Sequence, residues 1–174
     1  CGWVDQISFS QGEAFFEQGE YVTSGEGNSG IGGVNAVVPV SGVGPVSVSV
    51  YVLPAMARAA DYMAPTVPVK LIWEDGESGV KHVTIPIKGD TQAEGEEVFY
   101  LALGKPEGGL IGEQGVCAVV IQDDDEGSVP NKGSFVAGVP QPPEAGRVTG
   151  GAYCLPGKNV RLTASPNAGW TFLR

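Results

Sequence analysis

Three consecutive aspartates, Asp123, Asp124 and Asp125, follow the apolar run at the end of "GVCAVVIQDDD". At an effective dielectric of about 20, two carboxylates about 4 Å apart repel by roughly 4 kcal/mol. Such a triplet needs either a wet, open turn or a positive charge among its oxygens. Other acids gather in loops rather than spreading evenly: Glu26 in "SGEGNSG", Asp61 in "ARAADYM", and Asp90, Glu94 and Glu97 in "GDTQAEGEE". Carboxylates and loop carbonyls converging from several loops are how a hard divalent cation is held, calcium taking about 6–8 oxygen ligands at about 2.3–2.6 Å. A merely solvated turn is the plain alternative, since acids are common beyond strand ends.

The elements that must position these acids show period-two alternation, the mark of half-buried strands. In "VSVSVYV", Val46, Val48, Val50 and Val52 share one face; "VPVKLIW" groups Val67, Val69, Leu71 and Trp73; "KHVTIPI" turns Val83, Ile85 and Ile87 inward and His82 and Thr84 outward. "VNAVVPV", the "AFFEQGEYV" region, "VFYLAL" and "VCAVVI" complete the set, and turn chemistry separates them in "SGVGP", "EDGESG", "KGDTQAEG" and "GKPEGGLIGEQG". No segment sustains a helical period. About seven such strands predict an all-β, two-layer antiparallel β-sandwich of immunoglobulin-like kind, with a C-terminal β-rich extension. If the strands starting at "EEVFYLAL" and ending at "GVCAVVI" are antiparallel neighbours, the acids before the first and after the second lie at one end.

The 27 glycines and 13 prolines are scattered, in keeping with many short strands. A net charge of −10 repels phosphate backbones, so nucleic acid and anionic membrane surfaces are poor partners. No run of about 18 apolar residues predicts a membrane span. Cys1, Cys117 and Cys154 lack zinc-site spacing; Cys117 alternates with Val119 and Ile121 and reads as a small core residue, while a Cys1 to Cys154 bridge stays open. The sandwich is expected over residues 7–127, a proline-rich linker over 128–145, and part of a small β repeat over 146–174.

"FFEQGEYV", "DYM", "EDGESGVKHVTIPI", "EGEEVFYLAL", "LIGEQG" and the terminal "VVIQDDD" together resemble a Calx-β domain, the calcium-sensing β-sandwich of sodium/calcium exchangers, also found in integrin β4 and in bacterial surface proteins. The resemblance covers roughly residues 7 to 127. It implies calcium as the cofactor, with ligands at Glu26, Asp61, Asp90, Glu94, Glu97, Asp123, Asp124 and Asp125. It also implies a non-enzymatic, extracellular or cell-surface structural or adhesion module of a bacterial multidomain protein. Its partners would be neighbouring domains, a matrix protein or a glycan. Lys88 and Gly89 stand where fuller calcium sites carry further acids, which implies fewer ions, one or two. Glu107, in "GKPEGG", matches no ligand position. The tail "GRVTGGAYCLPGKNVRLTASPNAGWTF" is similar to the small β repeats of bacterial surface and secreted proteins.

Competing functions have weaker footing. The sole histidine, His82, sits on the outer face of its strand, a poor place for a catalytic base. Glu94 and Glu97 could serve a glycosidase, but the long substrate loops and aromatic platforms of such enzymes are missing from the sequence. "DDDEGSVPNKGS" lacks the glycine and glutamate of an EF-hand loop. A carbohydrate-binding module would need exposed aromatics, whereas Trp73 shares a face with aliphatic residues and Trp170 pairs with Phe172. A spacer without metal is the remaining alternative.

Overall fold

The computed structural model describes residues 5–7, 21–25, 31–40, 45–77, 79–111, 115–123, 125–127 and 131–173, and for 5–7, 21–25, 31–40 and 79–80 the backbone path alone. Apart from one 3-10 turn at Pro143–Ala145, the regular elements are strands. They are β1 (Asp5–Ile7), β2 (Tyr21–Gly25), β3 (Ile31–Val40), β4 (Val46–Pro54), β5 (Val69–Trp73), β6 (Gly79–Lys88), β7 (Glu97–Glu107), β8 (Gly109–Ile111), β9 (Val116–Gln122), β10 (Ser134–Val136), β11 (Gly146–Thr149), β12 (Ala152–Cys154) and β13 (Thr163–Pro166).

One layer is a five-stranded sheet in the order β2-β9-β7-β4-β5, and β3 pairs with β6 in the other. Between them lies a single core of Val46, Val48, Val50, Leu71, Trp73, Val83, Ile85, Ile87, Phe99, Leu101, Leu103, Cys117, Val119 and Ile121. β4, β5, β6, β7 and β9 each contribute alternate residues, as the pleat requires. His82 and Thr84 are exposed, and the Cys117 side chain is buried.

The structure departs from a simple meander in two ways. β3 pairs with β6 instead of β4, so the chain crosses between layers. β1 and β2 pair in parallel with β8 and β9, while the remaining pairings are antiparallel. Parallel neighbours cannot be joined by a tight turn, and here the long intervening chain supplies the crossover. Val67, expected beside Val69 and Leu71, is 69% exposed because β5 begins only at Val69. Trp170 also departs from the expected packing with Phe172, being 45% exposed.

Glu107 is no loose turn residue. A register shift lies between Ser47 and Ser49 opposite Glu107 and Gly104, and Lys105 has a φ of 48°. Glu107, at the end of β7, accepts hydrogen bonds from Ser47 Oγ at 2.7 Å and Lys70 Nζ at 2.8 Å. The Lys70 hydrogen bond, helped by Ser47, holds its carboxyl below the usual range.

After β9, the described chain meets the outer face of the five-stranded sheet at Phe135 and at the turn Pro143–Ala145. β10, inside the proline-rich stretch, pairs with β12, and β11 pairs with β13. Phe135 stacks with Tyr100 of β7 at 6.5 Å between ring centroids and with Tyr153 at 5.2 Å. The turn at Pro143–Ala145 seats on Gly104: a Cβ there would stand 2.7 Å from Glu144 Oε2 and from Pro143 Cγ, and 2.9 Å from Tyr51 Cε2. Only a glycine lets the turn approach this closely. The Cys154 thiol is free, and Cys1 lies outside the described residues.

Candidate metal centre

Antiparallel pairing of β7 with β9 places Glu97 opposite Ile121, so the entry to β7 and the exit from β9 share one end of the sandwich. β2 ends at the same place, Gly25 pairing with Gln122, and β3 begins there, Ile31 pairing with Lys88. The segment after β4 is stapled across this end by its backbone. The N–H groups of Met56 and Ala57 both donate to the carbonyl of Val98, at 2.8 and 2.9 Å. Met63 N–H donates to Pro86 O and Lys88 N–H to Asp61 O, each at 2.8 Å.

Tyr62 is the anchor of this segment. Its ring is buried and stacks on Phe99 with centroids 4.4 Å apart, and its backbone bridges Ile87. Burial, and then the charge of Asp61, push its phenol above the ordinary value. With Tyr62 held in the core, the preceding residue is held at the rim. Asp61 closes a turn, its N–H donating to Arg58 O at 3.1 Å while its Oδ2 accepts from the Arg58 N–H.

At that rim carboxylate oxygens of Asp61, Glu94 and Glu97 all lie within 4.8 Å of one another. Oxygens bound to one calcium at about 2.3–2.6 Å lie no more than about 5 Å apart. Their mutual spacing is compatible with one shared ion, and all three are hard anionic donors. Without a cation the arrangement is costly. Burial, a hydrogen bond with Asp61, and the charges of Asp61 and Glu94 raise the Glu97 carboxyl to about 8. Two carboxyl groups can share a hydrogen bond only if one holds a proton, and the upward shift of Glu97 favours its protonated form. Glu94 is raised as well, first by burial and then by Asp61, Asp90 and Asp123. Arg58 opposes both shifts with its positive charge.

Of the acids singled out in the sequence, three meet directly and two more lie around them. Asp90 is near enough to raise Glu94, and its Oδ1 accepts from Gln92 N–H at 2.7 Å in a local turn. Asp123 takes a backbone role: Oδ2 accepts from Glu94 N–H, and Oδ1 from Asp125 N–H at 2.9 Å. Two amide donors thus offset part of the repulsion within the aspartate run. Asp125 is half-buried beside it. Glu26 and Asp124 lie outside the described residues. Arg58 was not singled out by the sequence reading, although a base three residues before Asp61 was a usable signal. Nor was Glu96, which faces the C-terminal chain.

Comparison with solved structures identifies the fold. The apo-form Calx CBD1 domain superposes with a TM-score of 0.58 at 20% identity, over 71% of this chain and 100% of that one. The Calx CBD2 domain gives 0.56 at 15% identity, over 72% and 93%. The calcium-binding domain CBD12 of CALX1.1 gives 0.57 at 22% identity, over 76% of this chain and 50% of that one. Residues 140–174 match the family model of the divergent InlB B-repeat domain. No curated protein sequence matches the chain significantly. The fold is that of the Calx calcium-binding domains, an all-β sandwich, and a segment similar to an InlB B-repeat follows it.

Proposed function

We propose that this chain is a non-enzymatic, calcium-binding structural module of an extracellular or cell-surface protein, its sandwich stiffened by an ion held at one end. The observation that carries the reading is the convergence of Asp61, Glu94 and Glu97 oxygens within 4.8 Å at the loop end of a Calx-type sandwich. Asp90, Asp123 and Asp125 would complete or neutralise the ion's surroundings. A cation there supplies the positive charge that three crowded carboxylates and one arginine lack. Extracellular calcium is abundant enough to fill a site of modest affinity, which supports placement outside the cell, as does the similarity to an InlB B-repeat. Among the described residues no helix is long and apolar enough to cross a membrane.

Its work would be that of a spacer or adhesion unit, toward neighbouring domains, a matrix protein or a glycan. Trp73 is fully buried in the core, which argues against its serving as a sugar platform. A ligand that binds only the folded state adds RT ln(1 + [L]/Kd), about 2.7 kcal/mol at a hundredfold excess over Kd. Calorimetric melting in millimolar calcium should therefore run several degrees above melting in chelator. Magnesium should do less, because its octahedral water shell is reluctant to leave. Superimposable curves in calcium and chelator would mean that the acids serve only as surface charge.

A further inference from the structure

The chain that follows the sandwich, first at Asn131 and then within the InlB-like repeat at Tyr153, grips the loop that carries two of the three clustered carboxylates. Asn131 Nδ2 donates to the Glu96 carbonyl at 2.7 Å, and Tyr153 Oη donates to Glu96 Oε2 at 3.0 Å. Glu96 stands between Glu94 and Glu97, so its backbone is tied to Asn131 and its side chain to the repeat while Glu94 and Glu97 face the cluster. The approach is close. A Cβ on Gly95 would lie 3.0 to 3.2 Å from the Asn131 amide group, so the asparagine rests against bare backbone. Tyr153 is itself held, paired with Phe135 across β10 and β12, and Phe135 stacks in turn on Tyr100, three residues beyond Glu97 on β7.

We infer that Asn131 and Tyr153 are positioning residues for the cation site, and that docking of the C-terminal chain, linker and repeat together, and occupancy of the Asp61, Glu94 and Glu97 cluster reinforce one another. The inference rests on the calcium reading above. A loop already fixed at Glu96 loses less freedom when its flanking carboxylates close on an ion. By linkage, the ion must then favour the docked repeat by the same factor.

The test uses the full chain and calcium alone as the probe. Tyr153→Phe keeps the ring and its stacking on Phe135 but removes the hydroxyl, and Asn131→Ala removes the second tie. Each should weaken calcium binding, by about fivefold if the coupling is of ordinary size, while leaving the melting temperature in chelator within a degree or two of wild type. In the wild type, calcium should slow hydrogen exchange of the amides in β10 and β12. Trp170→Ala, on an exposed part of the same repeat, should bind calcium as the wild type does. Unchanged affinity in both variants, with exchange in β10 and β12 indifferent to calcium, would make the repeat a passenger and overturn the coupling while leaving the calcium site intact. Failure of the wild type to bind calcium would remove the reading beneath it, and the coupling with it.

Discussion

Glu97→Gln should stabilise the protein in chelator and destabilise it in calcium. Without metal, Glu97 is a half-buried carboxyl pressed against Asp61 and Glu94, and its ionised form is disfavoured up to a pH of about 8. The amide keeps the shape and the capacity to donate to Asp61, but brings no charge, so at pH 8.5 the metal-free variant should gain about 1 kcal/mol. In calcium the same change removes a hard anionic ligand. Most of the metal-induced gain, about 2–3 kcal/mol at saturation, should then disappear. Thermal melts of wild type and variant in both buffers read the two signs directly. Asp75→Asn, an exposed turn position, is the control and should behave alike in both; Glu107 cannot serve, since Ser47 and Lys70 bind its carboxylate. A solvated turn has no way to produce opposite signs.

The second large effect is a pH dependence that calcium should erase. Glu97 has a folded value raised to about 8 against an ordinary 4.5. Below the ordinary value both folded and unfolded chains hold the proton, and the group favours neither. Between there and about 8 only the unfolded chain gives it up, so the folded state binds more protons and stability falls with rising pH. Above about 8 both forms are ionised and this contribution levels off. A full conversion of the shift at about 1.4 kcal/mol per unit would overstate the loss, because Glu97 is partly open to water and counter-ions; about 1–2 kcal/mol is expected. Glu94, raised in the same direction, adds to the slope at its acidic end. In chelator, denaturant midpoints should fall from about pH 5 to 8. In saturating calcium that fall should shrink or reverse, since the ion displaces the proton, and apparent affinity should drop by up to about tenfold per pH unit below about 8. A chelator profile that rises across this range would contradict the charge-crowded cluster.

Much of this architecture is written in the side-chain alternation. Val46, Val48 and Val50 on β4, and Val83, Ile85 and Ile87 on β6, lie in the core where period two puts them, and His82 faces out. Pairing of adjacent acidic segments follows from the same pattern, because antiparallel β7 and β9 bring their acidic ends together at Glu97 and Ile121. What alternation cannot encode is the path of the loops. Asp61 reaches Glu97 because Tyr62 drops into the core against Phe99 and a carbonyl of β7 takes two amides from residues 56 and 57. Asp123 proves to be an acceptor for loop amides, a role set by backbone geometry that residue type alone does not disclose.

The end of a strand is equally hard to read. Val67 fits the period of β5 yet lies outside it, since "APTVP" places prolines on both sides and a proline donates no ladder hydrogen bond. Parallel pairing of β1 and β2 with β8 and β9 depends on chain crossing over long distances. Local pattern carries no trace of it. Likewise the "SVPNKGSFVAGVPQPPEAG" texture, rich in proline, conceals β10 and the Phe135 contact that seats the repeat on β7.

The central claim is that Asp61, Glu94 and Glu97 together hold calcium. Isothermal titration of calcium into the full chain, at pH 8.5 where Glu97 has largely lost its proton, tests it most directly. The wild type should bind one or two ions saturably, and the triple variant Asp61→Asn, Glu94→Gln, Glu97→Gln, confirmed as folded by its melting curve in chelator, should lose at least one of them. A wild type that takes up no calcium, or a folded triple variant that binds with unchanged stoichiometry and affinity, would contradict the account.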